Sequence, residues 1–353
     1  MLALPAWGQI PLAEDGQLSV SGSSTFRYEY QDSTVAGAFK QERLRLSARV
    51  DGRWEVRENW TFSSGVRTGS LENQQTPTVT IKTLDSRSGY GSRAVYVDRW
   101  EAGWQQANNR VLIGRTMWPF WAATDAVWDR DAHPAGLFAS HRHPSGEAAH
   151  TFAAAYYWLP DGGLRFTGRM ATVQLRREEP LGKGRLSYAL QWLHMEGEPH
   201  ARHARARANE RDYRIAQVSL TYAVKWVGQP AVFGLDVFHN FKTYPADGLD
   251  TFAAAFRDER TGFALAFSIG RNRTRGDWRF RYHYVYQAAL SVNPALNADT
   301  RFHVRTSNYR GHDLRFTYSL SDRWTLSPRA LFAKEIVGNI RGQRYRLDLS
   351  FVF

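Results

Sequence analysis

The chain has 353 residues, no cysteine and a formal net charge of +12, from 46 Lys and Arg against 34 Asp and Glu. The lack of cysteine excludes disulfide frameworks, Cys-zinc sites and thiol nucleophiles, and no run of 18 apolar residues exists that could cross a membrane as a helix. With 13 Trp, 16 Tyr and 20 Phe it carries too many large apolar rings for a disordered chain.

At the N-terminus, Met1–Ile10 (MLALPAWGQI) lacks a basic start and is too short for a full secretory signal. It does place small residues around Ala6-Trp7-Gly8, and it reads as the tail of a signal peptide or as a flexible terminus. Residues 11–353 read as a single unit governed by a period of two. In Glu42–Val50, Leu44, Leu46, Ala48 and Val50 alternate with Arg43, Arg45, Ser47 and Arg49. Successive strand side chains point to opposite faces, so such a segment has one apolar and one charged face, whereas a helix needs apolar residues at i, i+3, i+4 and i+7. In chain order the predicted strands are Leu18–Tyr30, Glu42–Val50, Trp54–Gly69, Ser92–Trp104, Asn109–Thr116, Gly136–Arg142, Ala149–Trp158 and Leu164–Arg177. They continue as Gly184–Glu196, Asp212–Trp226, Ala231–Phe241, Thr251–Arg271, Trp278–Gln287, His312–Ser321, Arg323–Lys334 and Tyr345–Phe353. The sum is sixteen, with a range of roughly 14–18 because Thr251–Arg271 also reads as a short strand plus a hairpin. Short Gly/Asp links such as Asp51-Gly52-Arg53, the Pro160 turn, Thr274–Asp277 and Ser321-Asp322 predict an antiparallel meander.

Many of these strands are about 10 to 15 residues long, against about 5 to 6 in ordinary sheets, and about 9 to 11 tilted residues cross a bilayer. Rings gather near strand ends, at Tyr28, Tyr30, Trp100, Trp104, Tyr156, Trp158, Trp192, Trp226 and Trp278, as an aromatic girdle requires. A soluble sandwich cannot cover the apolar face of sixteen strands without helices or a further layer. The fold expected is therefore all-β: a transmembrane antiparallel up-and-down barrel, apolar band to lipid, charged face to a water-filled lumen, and no open edge. Alternate links support this, because the short ones (Asp51–Arg53, Glu178–Lys183, Val227–Pro230, Ser321-Asp322) fall at one end. The long ones (Gln31–Lys40, Ser70–Gly91, Met117–Ala135, Gly197–Arg211, Lys242–Asp250, Ser291–Gly311, Glu335–Gln343) fall at the other, where the Pro160 turn is the short exception. Short periplasmic turns and long external loops are the pattern of bacterial outer-membrane barrels.

Arg115–Gly136 (RTMWPFWAATDAVWDRDAHPAG) then resembles a segment of the bacterial outer-membrane porin family, in which a Gly-Arg/Lys strand runs into Pro-Phe-Trp and a Trp-Asp-x-Asp-x-x-Pro-x-Gly loop. The matching residues are Gly114, Arg115, Pro119, Phe120, Trp121, Trp128, Asp129, Asp131, Pro134 and Gly136. Gly276–Tyr284 and Asn308-Tyr309-Arg310-Gly311-His312 are similar to a second block of that family, and the terminal Phe353 resembles the aromatic by which the barrel-assembly machinery recognises its substrates. His133 and its flanking alanines depart from the family pattern. The resemblance implies one barrel and passive diffusion in the outer membrane of a Gram-negative bacterium, with no catalytic residues.

In such a barrel the lumen would receive Arg27, Arg43, Arg45, Arg49, Arg57, Arg279, Arg281, Arg315, Arg329 and Arg346, and rings of basic side chains favour anions. The plainer reading is that they pair with acids such as Glu42, Glu55 and Asp348 and only stiffen the wall. Met117–Ala135 is the candidate constriction, since Trp118, Phe120, Trp121 and Trp128 resist exposure and Asp125, Asp129 and Asp131 could set a transverse field against an arginine wall. Loop arginines Arg202, Arg205 and Arg207 could contact lipopolysaccharide. Partners expected are thus outer-membrane lipid, small hydrophilic anionic solutes and a homotrimer; no cofactor is implied.

Other chemistry is weakly supported. No Gly-x-Ser-x-Gly elbow occurs, and the His and Asp within Asn308–Asp313 are a weak hydrolase signal. His141-x-His143, with His133 and His150, lacks an acid at diagnostic spacing for a metal. Strict alternation separates aromatics from arginines onto opposite faces, which spoils a nucleic-acid stacking platform. A sealed barrel acting as an adhesin or scaffold is the main alternative to a channel.

Overall fold

The computed structural model describes residues 10–11, 17–34, 39–85, 94–161, 163–198, 210–297 and 307–353. The signal-peptide reading of residues 1–9 and the loop arginines Arg202, Arg205 and Arg207 lie outside these. The period of two becomes one antiparallel sheet of eighteen strands. The first nine are β1 (Ile10–Pro11), β2 (Leu18–Ser33), β3 (Phe39–Arg57), β4 (Trp60–Gly69), β5 (Val79–Thr83), β6 (Ala94–Gln106), β7 (Asn109–Arg115), β8 (Ala135–Ser145) and β9 (Ala148–Pro160). They are followed by β10 (Phe166–Leu181), β11 (Gly184–Gly197), β12 (Tyr213–Trp226), β13 (Gln229–Asn240), β14 (Thr261–Gly270), β15 (Trp278–Gln287), β16 (Tyr309–Ser319), β17 (Trp324–Glu335) and β18 (Arg341–Val352). Two are accessory: β1 pairs with β2 alone, and β5 lies along Arg43–Leu46 of β3. The other sixteen are the staves of a barrel, as expected. Antiparallel pairing of β18 with β2, from Gly342↔Ser33 to Val352↔Ser23, closes it, so no stave has an open edge.

Closure depends on one missing side chain. Gly22 N–H donates to the Phe353 carbonyl (2.9 Å) and Phe353 N–H to the Gly22 carbonyl (3.0 Å). A Cβ on Gly22 would stand 2.2 Å from the Phe353 ring. Gly22→Val is therefore expected to cost about 1–3 kcal/mol through overpacking at the seam and to lower the yield of protease-resistant barrel on refolding. A wild-type yield would show that the seam tolerates a side chain.

Alternation assigns the faces. Phe26, Val50, Trp54, Phe62, Leu190, Val218, Phe316 and Leu347 are exposed, while their strand neighbours Glu29, Arg45, Arg67, Gln191, Gln217 and Asp348 are buried on the inner side. Rings form outer belts at both ends. Trp54, Trp60, Trp226, Trp278 and Trp324 lie near the short-turn end, and Trp158, Phe166, Trp192 (packed on Phe241 at 5.8 Å) and Tyr345 lie toward the long-loop end.

Three expectations need correction. Asp51-Gly52-Arg53 is not a turn: β3 runs through it to Arg57 and turns at Glu58-Asn59. Asp51 and Arg53 keep the inward phase while Val50, Gly52 and Trp54 keep the outward one, so nothing interrupts the alternation. Thr251–Arg271 is a helix, α1 (Thr251–Ala255), followed by β14. The Asp250 side chain accepts from Ala253 N–H as N-cap (3.1 Å), and Phe252 and Phe256, four apart, meet with tilted rings at 4.8 Å, so helical spacing wins locally over period two. Finally, apolar residues do not all face outward. Met170, Leu193, Met195, Tyr213, Ile215 and Phe238 are buried on the inner face near the long-loop end. They pack on Phe120, Val127 and Trp128 of the 116–134 segment and on Val292 and Leu296 of the 288–297 segment.

Candidate functional site

Register carries one inward row from strand to strand. Arg281 of β15 pairs with Arg315 of β16, Arg315 with Arg329 of β17, Arg329 with Arg346 of β18, Arg346 with Glu29 of β2, and Glu29 with Arg43 of β3. Two residues toward the short turns the next row holds Arg279, Thr317, Ser327, Asp348, Arg27 and Arg45; two residues the other way lie His283, Asp313, Leu331, Arg344 and Gln31. These three rows set nine arginines against three carboxylates. Two unit charges about 5 Å apart repel by roughly 3 kcal/mol at an effective dielectric of about 20, so the acids are strategically placed. Glu29, fully buried, takes Arg43 (2.7 Å), Arg346 (2.7 Å) and Arg45 (3.3 Å). Asp348 takes both forks of Arg27 (2.6 and 2.9 Å), and Asp313 takes Arg329 (2.8 Å).

A second charged cluster sits on β3, β4 and β6. Arg49 and Arg99 converge on Asp51 (2.8 and 2.9 Å), and Arg67 bridges Asp98 (3.0 Å) and loop residue Asp131 (2.9 Å). His133 contacts Asp98 at 3.2 Å, and burial pushes its imidazole below the usual range despite that carboxylate.

The 116–134 segment runs along the inner face of the opposite wall. Trp121 N–H donates to Gln174 of β10 (3.1 Å), and Gln174 returns a bond to the Trp121 carbonyl (2.7 Å). Asp236 of β13 accepts from Ala123 N–H (3.2 Å), Thr124 N–H (2.6 Å) and the Thr124 hydroxyl (2.5 Å). The backbone lies close here because Gly234 presents no side chain: a Cβ there would come within 3.3 Å of Ala123. Trp118 stacks on Trp128 at 4.1 Å, Phe120 meets Phe138 edge-on at 5.3 Å, and Arg176 lies over Trp121 at 4.5 Å. Asp129 N–H donates to the Leu296 carbonyl (2.7 Å), which joins this segment to 288–297, a link expected to be external.

Of the sequence-derived residues, Arg27, Arg43, Arg45, Arg279, Arg281, Arg315, Arg329 and Arg346 share the three rows, and Arg49 joins the second cluster. Arg57 does not follow. A bulge between Glu55 and Arg57 puts it opposite outward-facing Trp60, exposed at the short-turn rim. The expected acid partners also shift: Glu42 accepts from Tyr28 on the outer face, and Glu55 pairs with Arg53 near the turn. Nor does Asp131 face the arginine rows. Asp131 neutralises buried Arg67 and Asp129 accepts Asp131 N–H (2.8 Å), while Asp125 is partly buried on the loop. Glu29, Arg67, Asp98, Asp313, Asp236 and Gln174 were missed as site residues. The alternation that identified Arg27 reaches Glu29 and Arg67 too, but nothing local marks Asp236 or Gln174. His141, His143 and His150 lie on β8 and β9, with His143 and His150 in register, and among the described residues no group of three or more ligand-type side chains could hold a metal.

Residues 14–158 match the model of a family described as "Putative porin". That span includes the Arg115–Gly136 block and excludes the blocks around Trp278, Asn308 and Phe353. No curated protein sequence matches the chain. Among solved structures, Pseudomonas putida OprB at high pH is 8% identical, with 96% of this chain and 95% of that chain covered and a TM-score of 0.62. Salmonella typhi OmpF in complex with daunomycin is 9% identical, with 98% and 100% covered and a TM-score of 0.54. A mutant Rh. blastica porin is 10% identical, with 95% and 100% covered and a TM-score of 0.51. At these identities the likeness is one of fold.

Proposed function

We propose that this porin-fold barrel, whose residues 14–158 match the porin family, is an outer-membrane channel passing small hydrophilic solutes by passive diffusion, with anions favoured. The observation that carries the reading is the three inner rows with nine arginines against three acids. Arginine keeps its charge at any relevant pH and can fork onto carboxylate or phosphate, so a surplus of guanidiniums in a confined space raises the local concentration of anions. The 116–134 segment, latched to β10 and β13, narrows the lumen opposite those rows. Outer-membrane lipid and lipopolysaccharide surround the barrel, Phe353 serves the assembly machinery, and three barrels associate.

Planar-bilayer recording across a salt gradient tests this: the reversal potential should have the sign of an anion-selective pore. Replacing Arg279 and Arg281 by Ser should shift that potential toward zero without unfolding the barrel. A cation-selective potential would remove the preference. A non-conducting barrel would favour the sealed scaffold, a reading that the packing of 116–134 on 288–297 inside the long-loop end also supports.

A further inference from the structure

Five arginines of the three rows are tied to carboxylates: Arg27, Arg43, Arg45, Arg329 and Arg346. Arg281 and Arg315 are not. They are register partners on adjacent strands, about 5 Å apart at the backbone, and among the described residues neither has an ion pair or a hydrogen-bond acceptor. The Nε atoms of Arg315 and of Arg279 are buried without an acceptor. Arg279 lies on the same face two residues, or about 7 Å, along the strand and makes a single long contact with Ser268 Oγ (3.3 Å). Half-buried guanidiniums that repel one another and leave Nε donors unpaired are costly unless something neutralises them, and no carboxylate of the described chain does so within ion-pair distance.

We infer that Arg279, Arg281 and Arg315 form a binding site for a compact oxyanion bearing two or more negative charges, a phosphate-type or dicarboxylate ion. A single chloride neutralises one fork. A dianion engages two in bidentate fashion, and the spacing of about 5 and 7 Å brings two forks onto one small ion. The site gives the proposed channel a retained solute class and rests on that reading for the route by which the ion arrives.

Isothermal titration calorimetry of the refolded full chain in detergent, at low ionic strength, uses inorganic phosphate, succinate and chloride as probes. Saturable one-site binding of phosphate or succinate is expected, at least about tenfold tighter than chloride. The tighter of the two identifies the source as phosphate-type or dicarboxylate. Arg281→Gln combined with Arg315→Gln should weaken it at least about tenfold, with single Arg315→Gln intermediate. Arg257→Gln, an exposed residue beyond α1, should leave it unchanged. Two dianions that bind no better than chloride, or a double variant that binds as wild type, would overturn the site. Calorimetry needs no open pore: phosphate binding by a non-conducting barrel would remove the channel reading alone, and an anion-selective pore without saturable binding would remove this site alone.

Discussion

Leu347→Arg is expected to destabilise the bilayer-inserted barrel by about 2–4 kcal/mol, the cost of an arginine on the lipid face near the midplane of a membrane barrel. Leu347 lies midway along β18 with its side chain outward and 44% exposed, in register with Tyr28 on one side and Pro328 on the other. Its chain neighbours Arg346 and Asp348 are buried on the inner face, where Glu29 and Arg27 hold them. The same residue type is thus stabilised at 346 by a carboxylate and would be stranded in hydrocarbon at 347. Equilibrium unfolding of the protein in lipid vesicles reads the difference as a shift of the denaturant midpoint at constant slope. A midpoint within error of wild type would mean that the outer rows do not meet lipid, and the assignment of faces would fall with it.

Asp236→Ala should release the inward segment. The carboxyl of Asp236 accepts from Thr124 N–H, Ala123 N–H and the Thr124 hydroxyl. Each donor left buried without an acceptor costs about 1–3 kcal/mol, so losing the partner of these three weakens the attachment of 116–134 to β13 by roughly 3–9 kcal/mol before relaxation. Gln174 and the stack of Trp118 on Trp128 still hold the flanks. The expected phenotype is a channel of larger or fluctuating single-channel conductance whose barrel remains intact by its strand circular-dichroism signal. Unaltered conductance in a folded Asp236→Ala protein would show that this segment does not set the width of the pore.

Much of the barrel is legible in the amino-acid sequence. The strand count, the antiparallel meander and the separation of long links from short ones all follow from period-two patterning, because a strand buried on one side by lipid or wall records its two environments in alternate residues. The same rule located Arg27, Arg281 and Arg346, and read one step further it also reaches Glu29. It failed where a second signal overrode it. At Asp51–Arg53, turn-type residues sit inside an unbroken strand. At Asp250–Phe256, an N-cap and an i,i+4 aromatic pair make a helix. At Arg57, a bulge turns an expected inward cation outward.

What no pattern along the chain could supply is which residues from distant strands become neighbours inside the closed cylinder. Arg281, Arg315, Arg329 and Arg346 fall in one row only because of the stagger with which four strands pair, and a one-residue slip would disperse them. The engagement of Asp131 by Arg67, sixty-four positions apart, and of Thr124 by Asp236 is likewise a consequence of closure. Local alternation reports the medium that each side chain faces. Charge compensation inside the lumen is a long-range matter, settled by register and by the path of a loop across the interior.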